Sequence, residues 1–191
     1  DVFPDEAGAV WGWSSNRVTR WAGTTTSHFT ESETGLHIIQ AGHGAPTGAY
    51  WLVGLNPNGE RAAARFFEGR WTRYPIPNIQ GVFDKPGIAA VRDSLWIILR
   101  PAAQTNALAI NVATNKTTLV DVPRSILSEF HHGLHISPDG SNLWLYGDNG
   151  LYLAQPGREK WDAITNIPGR TVVGMVERPG EVWVGCNGVT G

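Results

Sequence analysis

Tryptophan returns along this chain at a nearly fixed interval, and no other feature limits its possible folds so tightly. "AVW" ends at Trp11, "AYW" at Trp51, "SLW" at Trp96, "NLW" at Trp144 and "EVW" at Trp183, with spacings of 40, 45, 48 and 39 residues. A second marker keeps the same period: "RYPIP", "VDVP" and "TNIP" end at Pro77, Pro123 and Pro168, 46 and 45 residues apart. A third, "GLHI", occurs at Gly35–Ile38 and again at Gly133–Ile136; "GIAAV" from Gly87 and "TVVGMV" from Thr171 take its place in two other units. Self-similarity at this period means one supersecondary unit stacked on copies of itself, each burying the face of its neighbour.

The fourth unit shows what that supersecondary unit is. "GLHIS", "NLWLY", "LYLAQ" and "KWDAITNIP" are short apolar runs, separated by "PDGS", "GDNG" and "PGRE". Gly with Asp, Asn or Pro supplies the backbone angles of tight turns, so each unit reads as an antiparallel meander of four strands. The 23 glycines and 12 prolines beside a single methionine suit many short strands rather than helices. A four-stranded unit of this length is a β-propeller blade, with the second-strand tryptophan filling the space between one blade and the next. The fold class expected is therefore all-β, a single propeller domain spanning 1–191, with repeats at approximately 1–34, 35–86, 87–132, 133–170 and 171–191. That amounts to about four and a half blades. It reads as a segment of a larger propeller of about six to eight blades, with a five-bladed ring as the alternative. A segment would need flanking blades or a partner chain against its terminal faces.

Composition narrows function by exclusion. The net charge of -2, from 15 basic and 17 acidic residues spread without blocks, argues against nucleic acid as a partner. Apolar runs such as Leu95–Leu99 are far short of the roughly 20 residues of a membrane-spanning helix. Cys186 is the single cysteine, so there is no internal disulfide and no multi-cysteine metal site. No phosphate loop, dinucleotide fingerprint or nucleophile elbow is present, and no cofactor is implied.

Two known families share parts of this pattern. "LWLYGDNGLYLAQPGREKWDAI", followed by "VVGMVERPGEVWVGCNG", resembles the two-component-regulator propeller repeat, and "VWGWSSNRVTRWAG" is similar to the tectonin-type propeller lectins. The second and third units depart from the first family, with "NPNGE" at 56–60 and "PAAQTN" at 101–106 in place of the short Gly-Asn-Gly turn. The first resemblance implies a sensory or ligand-binding ectodomain, extracellular or periplasmic. The second implies glycan binding.

Candidate chemistry is sparse and polar. Asp148, Asn149 and Asn187 lie in turns at one mouth of the expected propeller, and Arg124, His131, His132 and Arg170 lie in the connections opening on the same face. Convergent Arg, His and Asn side chains suit an anion or a cluster of sugar hydroxyls, so the mouth is the expected site for a protein, small-molecule or glycan ligand. Trp13 alternates with Trp11 on one face of "VWGWS" and reads as a ligand platform. Trp21, Trp71 and Trp161 read as packing residues on outer strands. His37 and His135 share the "GLHI" slot, with Ala89 and Val173 as their counterparts, and would line the axial channel as structural histidines, or as metal ligands if imidazoles from several blades converged. The carboxylates an enzyme could recruit, Asp84, Asp93, Glu129 and Asp139, all have turn explanations. The chain reads as a binding module rather than an enzyme; a propeller lectin and a glycan-processing enzyme are the alternatives.

Overall fold

The computed structural model describes residues 2–4, 8–45, 48–76, 88–91, 94–99, 107–111, 119–122, 132–137, 139–148, 150–155, 160–167 and 171–187. The first sheet contains β1 (Val2–Pro4), β2 (Val10–Trp13), β3 (Val18–Ala22) and β4 (Thr25–Phe29). One helical turn, α1 (Glu31–Thr34), leads to a second sheet of β5 (Ile38–Gly44), β6 (Tyr50–Leu55), β7 (Arg61–Phe67) and β8 (Arg70–Pro75). The third sheet is β9 (Ile88–Val91), β10 (Ser94–Leu99), β11 (Ala107–Asn111) and β12 (Leu119–Val122). The fourth is β13 (His132–Ile136), β14 (Leu143–Gly147), β15 (Gly150–Ala154) and β16 (Asp162–Ile164). A two-stranded fifth sheet pairs β17 (Thr171–Arg178) with β18 (Glu181–Asn187).

In each sheet the strands lie in sequence order and pair antiparallel, the meander that short Gly-containing turns produce. The first strands of successive sheets meet one another, β1 with β5, β5 with β9, β9 with β13 and β13 with β17. The sheets therefore fan out from an axis lined by first strands. Among the described residues α1 is the one helix, and residues 35–168 carry three four-stranded sheets, as the period predicts.

The core consists of the spaces between sheets. Trp51 is buried with Ala90, Leu95 and Ile97 of the third sheet, and Trp96 with Leu134, Ile136, Leu143 and Leu145 of the fourth. Trp144 packs with Val172 of the fifth. Between the first two sheets the filling is aromatic: Trp11 stacks on Tyr50 at 4.4 Å and 8°, with Phe66 and Trp71 edge-on to it. Trp183, at the same place in β18, is exposed.

Pairing corrects the expected register. The residues opposite the five tryptophans are Phe3, His43, Ala89, His135 and Val176. His43, not His37, is thus the counterpart of His135, and Val176, not Val173, is the fifth-sheet counterpart. The two "GLHI" segments match in letters but not in structure. Gly35, at φ 74°, ends α1, so the first "GLHI" is spent on a helix end and the lead into β5. Bulges beside Gln40 in β5 and Val173 in β17 add one residue each and displace the count further. Trp21 also lies elsewhere than expected. Gly23, at φ 59°, turns the chain just after it, so Trp21 sits on the third strand and Thr25–Phe29 forms the outer one. Trp71 is on the outer strand β8, and buried Trp161 directly precedes β16.

Candidate ligand-binding face and an axial polar cluster

The meander places every turn from second to third strand, and every connection from fourth strand to the next first strand, at one end of the sheets. At this end, against the second sheet, lies an open cleft of about 1240 Å³. It is lined by Glu31, Gln40, Asn56, Glu60, Arg61 and Arg73, among others.

Local chemistry shapes these walls. The side-chain oxygen of Asn56 accepts the backbone N–H groups of Asn58 and Glu60, both at 2.9 Å, while its amide donates to Glu60 Oε2 at 2.9 Å. An Asx turn of this kind lets a side chain replace missing backbone partners. Across the cleft, the Thr30 N–H donates to Glu33 Oε2 at 2.9 Å at the start of α1, and the Arg73 guanidinium donates to the carbonyls of Ser32 and Glu33. Gln40 is the bulge residue of β5, and its Oε1 is buried without a hydrogen-bond donor among the described residues. A buried acceptor left unpaired is costly, and a ligand N–H or O–H would satisfy it.

The residues expected at this mouth are distributed as follows. His132 begins β13 and pairs with Gly147, next to Asp148 in the β14–β15 turn. Asn187 ends β18 opposite Thr171 and is exposed. Asp148 and Asn187 thus close the second strands of adjacent sheets. Trp13, at the same end of β2, is half-buried against the aromatic filling of the first two sheets. Arg124, His131, Asn149 and Arg170 lie outside the described residues, as do Asp84, Asp93 and Glu129. Asp139, exposed, accepts the N–H of Ser141 at 2.9 Å, and hydrogen bonds from the side chain and then the backbone of Ser141 hold its carboxyl below the usual range. His37 is an exposed surface residue, its Nδ1 2.8 Å from Glu31 Oε2.

The opposite end of the inner strands carries a second polar group that sequence reasoning missed. Glu177 of β17 reaches back to the fourth sheet, where its carboxylate accepts Ser137 Oγ at 2.9 and 2.8 Å and Trp144 Nε1 at 3.1 Å. His135 Nε2 stands 3.4 Å from Glu177 Oε2, near enough for charge attraction but outside hydrogen-bond geometry. At the next position after the residue facing Trp, the second to fourth sheets carry Gly44, Ala90 and Ile136. At this position a carboxylate thus clasps the junction of the fourth and fifth sheets, whereas Trp51 Nε1, in the cluster that holds Ala90, has no hydrogen-bond partner among the described residues.

His43 lies on the axis near His135, and its pKa is lowered from 6.5 to about 4, first by burial and then by repulsion from the His135 imidazole. His135 is lowered as well, chiefly by burial, with Glu177 opposing the shift. Both histidines are held neutral near pH 7. Among the described residues no group of three or more His, Cys, Asp or Glu is disposed to hold a metal ion. His43 was within reach of the sequence: counting back seven to nine residues from each Trp finds the residue facing it, whereas His37 lies fourteen before Trp51. Nothing local to Glu177 marks it as a partner of Trp144.

No protein-family model matches the chain, and no curated protein sequence does. Solved structures do. A crystal structure assigned as the extracellular domain of a hybrid two component system from B. thetaiotaomicron matches 97% of this chain at TM-score 0.54 and 14% identity. One assigned as the extracellular domain of a one component system from the same organism matches 97% at TM-score 0.59 and 12% identity. Regucalcin, a calcium-binding protein from Agrobacterium tumefaciens, matches 91% at TM-score 0.51 and 13% identity.

The fold is a β-propeller. Its five sheets are blades, four of them four-stranded. The chain spans 27%, 26% and 62% of the three propeller structures, about a quarter of the length of the first two. Among the described residues no helix is long and apolar enough to cross a membrane.

Proposed function

We propose that this propeller is a non-catalytic ligand-binding or protein-interaction module of the sensory-ectodomain type, and that it takes its ligand at the mouth formed by the second-to-third-strand turns and the inter-blade connections. The observation carrying the reading is the cleft beside Gln40. It is open, its walls carry charged and amide side chains, and it is bordered by a buried acceptor that has no donor among the described residues. Carboxylate, amide and guanidinium side chains on its walls suit a ligand rich in hydroxyl or amide groups. The extracellular sensing systems named for two of the fold neighbours support the same reading.

Thermal-shift titration against a panel of oligosaccharides and peptides is the test. A ligand should raise Tm for the native chain and do so at least tenfold less effectively for Gln40→Leu. Thr24→Ala, in the turn at the other end of the first blade, should leave the response unchanged. A response that survives Gln40→Leu intact would place the ligand elsewhere.

A further inference from the structure

One wall of the cleft beside Gln40 is a single helical turn. Glu31, Ser32 and Thr34 of α1, with Gly35 at its end, line the cleft together with the Asn56–Glu60 turn. Four residues cannot hold a helix by their own hydrogen bonds, so this wall stands where its fastenings put it.

The turn is held at both ends and in its middle. At the start, the Thr30 N–H donates to Glu33 Oε2 at 2.9 Å. At the end, the Thr34 hydroxyl donates to the Thr30 carbonyl and accepts the N–H of Leu36, both at 3.2 Å, and Leu36 is buried between the first two blades. The middle is held from the outer strand β8, where the Arg73 guanidinium donates to the carbonyls of Ser32 and Glu33. Gly35 makes room for that guanidinium. It stands at φ 74°, and a Cβ there would lie 2.5 Å from Arg73 Nε and 2.6 Å from its Cδ. Glu31, the first residue of the turn, is oriented in addition by His37, whose Nδ1 is 2.8 Å from Glu31 Oε2.

We infer that α1 is a strap on this cleft, that Glu31 is its contact with the ligand, and that the Arg73 fastening and ligand occupancy favour each other. The inference rests on the ligand-binding reading of the cleft given above. With α1 tied to β8, the Glu31 carboxylate is already in place, and a ligand that meets both walls does not have to order the strap as it binds. By linkage, a ligand that bridges α1 and the Asn56–Glu60 turn holds the strap down in return. Arg73 is a positioning residue, acting on the ligand through α1 and Glu31.

Hydrogen exchange and binding together test this. Without ligand, Arg73→Met should speed exchange of the Thr34 and Gly35 amides, which bond to the carbonyls of Thr30 and Glu31, at least tenfold, and leave the Leu52 and Ala64 amides of the sheet unchanged. A ligand that raises Tm in the oligosaccharide and peptide panel should slow the Thr34 and Gly35 amides of the native chain at least threefold. Its affinity should fall at least tenfold in Glu31→Gln and in Arg73→Met, and less than threefold in Arg73→Lys, which keeps a cation within reach of the two carbonyls. Glu31→Gln and Arg73→Met combined should weaken binding no more than the larger single loss, since both remove the same contact, whereas a general structural role for Arg73 would multiply the two losses. Gly35→Ala, which crowds Arg73 from the other side, replaces Arg73→Met if that variant does not fold. Unchanged amide exchange in Arg73→Met overturns the strap, whether or not a ligand is found. Multiplied losses, or a ligand that leaves the α1 amides as they are, overturn the coupling. A panel in which no member raises Tm refutes the ligand-binding reading itself, and the role of Glu31 falls with it.

Discussion

Acid should loosen this propeller through His43, by an amount that can be worked out. The folded-state pKa of His43 is about 4, against 6.5 for the free side chain, because burial and the neighbouring His135 disfavour a charge there. The folded state keeps His43 neutral while the unfolded chain takes up a proton below pH 6.5, so stability is fully present above that value and is lost as pH falls. From these two pKa values the loss is about 2 kcal/mol between pH 7 and pH 5 and about 3 kcal/mol once pH is below 4. His135, lowered in the same direction, adds to it. Urea unfolding at a series of pH values, native chain against His43→Gln, isolates the effect, since other groups titrate alike in both. The variant should keep about 2 kcal/mol more of its neutral-pH stability at pH 5 than the native chain keeps. Equal losses, or an NMR titration of His43 centred near 6.5, would refute the reasoning.

Other outcomes follow from the junctions. Glu177→Ala should cost about 2 to 4 kcal/mol, because Ser137 Oγ and Trp144 Nε1 both lose a charged acceptor in a buried setting; a double-mutant cycle with Ser137→Ala should recover a coupling of about 1 kcal/mol or more. Trp144→Ala should cost about 3 to 5 kcal/mol by opening a cavity between the fourth and fifth blades. The same change at exposed Trp183 should cost under about 1 kcal/mol, read by chemical denaturation.

The repeat and its turns were legible in the sequence because they are local. Each blade is one continuous segment, its strands joined by short turns whose Gly, Asp and Asn residues are demanded by backbone geometry, and its tryptophan marks the place where sheets stack. Fold class followed from that period. Residue register did not follow from matching letters: "GLHI" at 35–38 and at 133–136 are the same four residues, yet α1 and the bulge at Gln40 put His43 where His37 was expected. Whether four residues close a helix or open a strand depends on what packs around them, and that is a property of the assembled sheets.

The candidate sites depended still more on assembly. Gln40 is an ordinary polar residue until a bulge buries its carbonyl beside a cleft whose other walls come from α1 and from the Asn56–Glu60 turn. Glu177 and Ser137 are 40 residues apart, and the carboxylate finds Trp144 only because the fifth blade stacks on the fourth. By itself, then, the sequence determined the unit, the strand order and the buried tryptophans, since those arise from contacts within one repeat and its period. The tertiary structure alone decided which histidine faces the axis and which junction holds a carboxylate, since those arise between blades, where sequence distance carries no information about distance in space.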